Sequence, residues 1–208
     1  AMGVDNRATG IYSTAIGSNN NATGLVAFAA VGCNLASGEY SIAMGSGTTA
    51  SGDYSMATGI NSNATGNSSI AMGSAANAGG PFSTAIGNNT TANGNYSTAL
   101  GLQTSAGGNG STAIGALTIA SGNNSTAAGY TTTASGLYST AMGFTTIANG
   151  AASTAMGNSS NATGDYSTAM GSTTTASGLA SIAMGNGSSA TGDYSLLWDI
   201  LPQPVESI

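Results

Sequence analysis

The chain has 208 residues, of which only 4% are charged, and its net charge is −6 with Arg7 as its single basic residue. One cation cannot form the basic surface by which proteins bind nucleic acid or anionic membranes, so both classes are excluded. The longest apolar run, residues 25–31, is far shorter than the roughly 18 residues of a membrane-spanning helix. The opening AMGVDNRATG lacks the pattern of a secretory signal, so a signal for export is expected outside this sequence.

Small residues recur every fourteen positions along the chain. Starting at Ala8, an Ala returns at every fourteenth residue up to Ala190, and a Gly follows each one two places later. Ser, a second Ala and a second Gly follow at five, seven and nine places, which gives the consensus A-x-G-x-x-S-x-A-x-G-x-x-x-x. A fixed internal period of this kind indicates a repeat architecture.

Each copy of the repeat predicts two short strands and two turns. The small residues alternate as A-x-G and S-x-A-x-G, and a period of two is typical of strands. Gly and polar tetrads such as SNNN and STTT are typical of turns, and two Gly in each copy would destabilise a helix by about 1 kcal/mol each. Stacking the copies about 4.8 Å apart predicts an all-β fold: a parallel β-solenoid over residues 1–195, with about fourteen coils and a length of about 65 Å.

One copy, at residues 22–35, departs from the consensus because its second Gly is Gly32, one place late. We interpret this shift as one extra residue before the second strand, offset by a shorter turn after it. The sequence thus predicts a β-bulge or a longer turn in this coil.

The alternation also assigns faces to the strands. The consensus Ala, Ser, Ala and Gly share one face, which we predict to be the narrow interior, and bulkier residues flank the inner Ala on the other face. This outer stripe is larger than a monomer usually exposes, so we predict a self-association surface. The predicted interface residues are Thr14, Ile16, Ile42, Met44, Ile70, Met72, Thr84, Ile86, Thr98, Leu100, Thr112, Ile114, Thr140, Met142, Thr154, Met156, Thr168, Met170, Ile182 and Met184.

The repeat, seen as STAIG at 13–17 and SIAMG at 41–45, resembles the YadA-like head repeat of trimeric autotransporter adhesins. The resemblance covers residues 1 to about 196 and implies a left-handed parallel β-roll, three chains of which pack together. It also implies that Ser13 and Ala15 point into the roll and that Thr14 and Ile16 face partner chains. The sequence differs in having mostly Thr where the family has Val, and it shows no match to the family's neck, stalk or anchor. These differences leave open a bacterial adhesin or a fibre of a phage, virus or other surface filament.

The composition argues against chemistry. The chain has no His or Lys, and no G-x-S-x-G pattern, so we predict no catalytic, cofactor or metal site and no enzyme activity. Glu39 and Asp53 share a repeat position in adjacent coils, but two carboxylates are a weak case for Ca²⁺ and are more typical of solvated turn residues. Cys33 is the only cysteine and is expected to be an inert small residue.

An aromatic rank precedes the second strand. We expect it either to pack at the edge of the subunit interface or to contact a ligand, because a tyrosine offers an apolar face and a polar tip. The candidate ligand-facing residues are Tyr12, Tyr40, Tyr54, Tyr96, Tyr138, Tyr166 and Tyr194, with Phe82 in the same rank.

The last residues, 196–208, break the pattern and are expected to be a C-terminal cap or a docking segment. The sequence favours a trimeric, adhesive rod at a cell or virion surface, with a host matrix protein or glycan as candidate partner. An architectural filament that stacks end to end is an alternative. An ice-binding solenoid is another, because a Thr rank runs from Thr84 to Thr168.

Overall fold

The computed structural model describes residues 1–199, which form a parallel β-solenoid with no helix in that part of the chain. The described residues contain the following strands: β1 Met2–Val4, β2 Arg7–Ala8, β3 Thr14–Ser18, β4 Asn21–Ala22, β5 Phe28–Gly32, β6 Leu35–Ala36, β7 Ile42–Ser46, β8 Thr49–Ala50, β9 Met56–Ile60, β10 Asn63–Ala64, β11 Ile70–Ser74, β12 Asn77–Ala78, β13 Thr84–Asn88, β14 Thr91–Ala92, β15 Thr98–Leu102, β16 Ser105–Ala106, β17 Thr112–Ala116, β18 Ile119–Ala120, β19 Thr126–Tyr130, β20 Thr133–Ala134, β21 Thr140–Phe144, β22 Ile147–Ala148, β23 Thr154–Asn158, β24 Asn161–Ala162, β25 Thr168–Ser172, β26 Thr175–Ala176, β27 Ile182–Asn186, β28 Ser189–Ala190 and β29 Leu196–Trp198.

The strands form two sheets, one on each side of a narrow interior. The odd-numbered strands make a 15-stranded sheet, called here the long sheet, and the even-numbered strands make a 14-stranded sheet, called the short sheet. All pairings are parallel, and each residue pairs with the residue fourteen places on, as Ala85 pairs with Ala99. The predicted β-solenoid with two short strands in each coil is therefore confirmed.

Hydrogen bonds between successive coils run along both sheets and through both turns. In the coil that begins at Thr84, the Thr84 N–H donates to the Ser97 carbonyl at 2.9 Å, and the Thr91 N–H donates to the Thr104 carbonyl at 2.8 Å. At the turn the Tyr96 N–H donates to the Pro81 carbonyl at 2.9 Å. Because turn residues share in the ladder, identical copies can repeat with little change in backbone geometry.

The interior is built from small side chains. The Ala of both strands is fully buried in every coil from Ala15 to Ala190, and so is most of the predicted Ser rank, as at Ser83. At the Ala and Ser ranks the two walls are therefore so close that only methyl and hydroxymethyl groups fit between them.

A third interior rank was not predicted. The third residue of each polar tetrad is buried, although the tetrads read as turns in the sequence, and this rank holds only Asn, Thr, Ser and Ala. At the N-terminal end it forms an amide ladder: the Asn34 Nδ2 donates to the Asn20 Oδ1 at 2.9 Å, and the Thr48 hydroxyl donates to the Asn34 Oδ1 at 2.6 Å. The period of two could have revealed this rank, because Asn20 lies two places before the buried Ala22.

The second consensus Gly is set by backbone geometry. Gly87 has φ of +135°, and a Cβ added there would overlap the carbonyl oxygen of Gly101 in the next coil. A side chain at this position is therefore opposed both by the left-handed backbone and by the neighbouring coil.

The predicted bulge at residues 22–35 is wrong. The strand Phe28–Gly32 pairs in unbroken register with both neighbours, and Val31 occupies the Gly position between Gly17 and Gly45. Val31 has φ of 89°, so a β-branched residue has replaced Gly without any insertion. The Gly at 32 lies in the next position, where an added Cβ would meet no atom closer than 4.0 Å.

The described chain ends with one further rung of the long sheet, in which Leu196, Leu197 and Trp198 pair with Ile182, Ala183 and Met184. Residues 200–208 of the predicted cap lie outside the described residues. Among residues 1–199, no helix has the length and apolar character needed to cross a membrane.

Candidate self-association surface and aromatic edge

The predicted stripe lies on the outer face of the long sheet, where two ranks of side chains flank the buried Ala of each strand. Ile86, Ile114 and Met142 are 39%, 42% and 40% exposed, and the preceding Thr rank is partly buried. Register places the members directly above one another, as Ile86 pairs with Leu100 and then Ile114. The stripe is therefore continuous along the rod.

The structure adds members that the sequence analysis left out. Phe28, Met56 and Thr126 lie in register with the Thr14 rank, and Ala30, Thr58 and Ala128 fill the gaps in the Ile16 rank. Neither rank contains a charged residue anywhere between Met2 and Trp198. An uncharged, partly exposed apolar face of this length is the main surface feature of the described chain.

A second group of apolar residues lies at the end of several long strands, next to the stripe. Ile60, Leu102, Tyr130 and Phe144 are about half exposed, and the rings of Tyr130 and Phe144 stack with centroids 5.4 Å apart. The sequence pattern does not reveal this group, because the same position holds Ser and Asn in other coils. It widens the apolar face locally, over the coils from Leu102 to Phe144.

The outer face of the short sheet is different in character. Its two-residue strands place mainly Asn, Thr and Ser outward, for example Thr91, Ser105 and Thr133; the exceptions are Arg7, Leu35, Ile119 and Ile147. Such a face can hydrogen-bond to water and needs no cover.

The aromatic rank forms an edge at the turn before each long strand, called here the aromatic edge. Its members are exposed, from 46% at Tyr40 to 84% at Tyr12. Neighbours stack face to face: the Tyr40 and Tyr54 centroids are 5.2 Å apart, and those of Phe82 and Tyr96 are 5.0 Å apart. These residues adopt φ near +55°, and from Tyr40 onward each amide still donates to the previous coil, which offsets the cost of a left-handed turn.

The acidic residues of this turn have a structural contact that the sequence did not reveal. The Asp53 Oδ1 accepts a hydrogen bond from the Glu39 N–H at 3.0 Å, and the Asp165 Oδ1 accepts one from the Ala151 N–H at 2.8 Å. Asn109 does the same for the Asn95 N–H at 3.1 Å, so the contact needs an oxygen and not a charge. Their position is thus explained by bonding between coils.

In residues 1–199, no group of three or more His, Cys, Asp or Glu side chains is arranged to hold a metal ion. Cys33 is exposed and occupies a left-handed turn position, with its N–H donating to the Ser18 carbonyl at 2.9 Å.

Comparison with known proteins identifies the repeat. A family model described as the YadA head domain repeat, which spans two copies, matches residues 1–25, 36–62, 64–90, 92–118, 120–146, 148–174 and 176–196. The ten-residue gap at 26–35 falls on the coil in which Val31 replaces Gly. No curated protein matches the chain. Since the matched segments cover well over half of the sequence, the chain belongs to the family of YadA head domain repeats.

Proposed function

We propose that the chain is a non-enzymatic, structural segment of an extracellular fibre: a homotrimeric, head-like rod that attaches to host or matrix surfaces. The observation that carries the proposal is the uncharged stripe on the long sheet, in a chain built from adhesin head repeats. A cell surface or a virion surface is the proposed location.

The stripe supports self-association because it exposes apolar area that water does not favour. Side chains such as Ile114 and Met142 keep about four-tenths of their surface exposed along the whole rod. A long repetitive face of one chain is complementary to the same face of an identical chain, and closed symmetry about a common axis covers it in every subunit. Three copies are proposed because the family resemblance implies a trimer.

The thin interior supports the same conclusion from energetics. Each coil buries little more than two Ala methyl groups and two small polar side chains. At roughly 25 cal/mol per Å² of apolar surface, such an interior stabilises each coil weakly, so contacts between subunits are expected to supply much of the remaining stability.

Attachment follows from repetition, since weak contacts that recur along the rod and on three chains combine into strong binding. The partner proposed is a matrix protein or a glycan on the host surface.

The experiment compares the wild-type chain with a double variant, Ile114→Asp with Met142→Asp, for retention on immobilised matrix proteins and glycans. The proposal predicts that the wild type is retained about a hundredfold more strongly than the variant, because the single-chain variant loses the contacts that the other two chains of the trimer contribute. Equal retention of the two proteins, with the wild type trimeric and the variant monomeric, would contradict a role for the trimer in attachment. Retention of neither protein on any surface would contradict adhesion.

An end-to-end filament is a second candidate, favoured by the apolar terminal rungs of the described chain. Met2 and Val4 at one end and Leu196 and Trp198 at the other are each more than 60% exposed. Electron microscopy at rising protein concentration tests this candidate, which predicts growing fibres where the trimer proposal predicts rods of one length.

The ice-binding candidate draws on the in-register Thr rank from Thr84 to Thr168. This function needs the long sheet exposed in a monomer, so thermal hysteresis in a monomeric sample would favour it over the trimer.

A further inference from the structure

The C-terminal third of the aromatic edge alternates aromatic and small residues. At successive fourteen-residue steps the positions hold Tyr138, Ala152, Tyr166, Ala180 and Tyr194. The backbone repeats closely, with φ of 58° at each Tyr and 50–51° at each Ala. Two tyrosines in adjacent coils cover each other's faces, as Tyr40 and Tyr54 do, whereas here an Ala separates each tyrosine from the next.

The spacing leaves an open notch between neighbouring rings. Adjacent rings of this edge lie 5.0–5.2 Å apart and within 4° of parallel. Because the turn amides continue the ladder without interruption from Ala152 to Tyr194, rings two coils apart are separated by about 10 Å. Tyr138, Tyr166 and Tyr194 are 61%, 66% and 75% exposed, so two notches with Ala floors open to solvent.

Each notch also has a carboxylate fixed beside its floor. The Asp165 Oδ1 accepts from the N–H of Ala151, the residue before the floor residue Ala152, at 2.8 Å. The Asp193 Oδ1 accepts from the N–H of Leu179, the residue before the floor residue Ala180, at 2.9 Å. The two notches therefore have the same walls, floor and charge.

We propose that these two notches bind the cationic side chains, Lys or Arg, of an extended peptide segment of a protein partner. A cation halfway between two rings lies about 5 Å from both centroids, inside the roughly 6 Å range of cation–π attraction, and the fixed carboxylate adds charge complementarity. The net charge of −6 also favours a basic peptide, because the chain as a whole attracts positive charge.

The notches also set a spacing for the partner. They lie two coils apart, about 10 Å, and a peptide in the extended polyproline II conformation advances about 3.1 Å for each residue and presents every third side chain on the same face. Basic residues three positions apart therefore match the two notches, while adjacent basic residues do not. The proposal deepens the attachment role suggested above and rests on it only in requiring this edge to be free in the assembled protein.

The test uses two peptides of identical composition, one with Lys at every third position and Ser between them, and one with all its Lys clustered. Binding to the full chain is measured by calorimetry at physiological salt. The key variants are Ala152→Tyr and Ala180→Tyr, which fill the notches with a further ring without changing the charge. They are expected to fold, because Tyr occupies this turn position in seven other coils.

The proposal predicts that the spaced peptide binds more tightly than the clustered one. Each filled notch is expected to lower the affinity for the spaced peptide about fivefold and to remove the preference between the two peptides. Tyr96→Ala, a variant on the same edge but outside the notches, should bind as the wild type does. A glutamate peptide of the same length should not bind.

Equal binding of the two Lys peptides, or unchanged binding to the filled variants, would overturn the proposal in favour of general electrostatic attraction. Binding of a maltooligosaccharide but not of the Lys peptides would identify a glycan surface and would also overturn it. The mass of each variant is measured by light scattering in parallel. If filling the notches changes the number of subunits, the edge belongs to the subunit interface and the proposal fails, whereas a wild-type monomer would contradict the trimer alone.

Discussion

The two sheets of the solenoid carry different outer faces although one fourteen-residue repeat builds both. The long sheet presents Ile, Met and Thr without a single charge, while the short sheet presents mainly Asn, Thr and Ser. Both have inner Ala ranks that are fully buried, so the interior does not explain the difference. The difference therefore lies in the outward residues alone: those of the long sheet are mainly apolar or Thr, and those of the short sheet are mainly polar.

The largest expected effect comes from placing charge on the long sheet. Ile114→Asp with Met142→Asp should reduce the mass in solution to that of one chain, because symmetry would bury each carboxylate three times without a partner. The matched control, Ser105→Asp with Thr133→Asp on the short sheet, should leave the mass unchanged. Loss of assembly in the control as well would show that the two faces do not differ as proposed.

The next largest effect is on stability, and it compares a glycine of a long strand with a glycine that follows a short strand. Gly87→Ala in a long strand should lower the free energy of unfolding by about 3 kcal/mol, because it combines a left-handed φ with overlap on the next coil. Gly107 follows a short strand, and a Cβ there would meet nothing within 4 Å. Gly107→Ala should therefore be neutral or stabilise by about 0.5 kcal/mol. Thermal unfolding measures both variants, and equal losses would contradict the geometry.

A smaller effect is expected inside the roll, between the two sheets. Asn34→Ala should destabilise by about 2 kcal/mol, because the Asn34 amide donates to the Ala30 and Gly45 carbonyls at 2.6 and 2.8 Å. Ser83→Ala should change stability by less than about 1 kcal/mol, since Ala27 already occupies the same rank in another coil. Urea unfolding followed by circular dichroism would contradict this account if the two losses were equal.

The smallest expected change in stability comes from a substitution in the turn that joins the two sheets. Asp165→Ala removes the acceptor of the Ala151 N–H and should cost about 0.5 kcal/mol, because the contact is exposed to water. Asp165→Asn keeps an oxygen in place, as Asn109 does, and should match the wild type in melting temperature. If Asn were as damaging as Ala, the charge and not the hydrogen bond would be the stabilising feature.

Much of the fold could be predicted because every fourteen-residue copy repeats the same alternation of small residues. The alternation in STAIG was sufficient to place Ala15 inside and Thr14 and Ile16 outside. The buried rank of Asn20 was missed because Asn, Ser and Thr are typical of turns, and one polar interior position leaves no hydrophobic signal.

The remaining differences arise from contacts that one copy of the repeat does not contain. Val31 suggests an insertion because the consensus Gly aligns one copy with the next, yet the coil keeps its register with a strained residue at the Gly position. The Asp165 hydrogen bond and the stacking of Tyr40 on Tyr54 both join different coils. Such contacts appear only after the spacing between coils is known.

The central claim is that the outer face of the long sheet is covered by identical chains. Light scattering after gel filtration measures the mass of the purified chain in solution and tests this claim most directly. The account predicts three times the mass of one chain over a wide range of concentration. A stable monomer would contradict it, because the uncharged stripe would then be exposed to water along the whole rod.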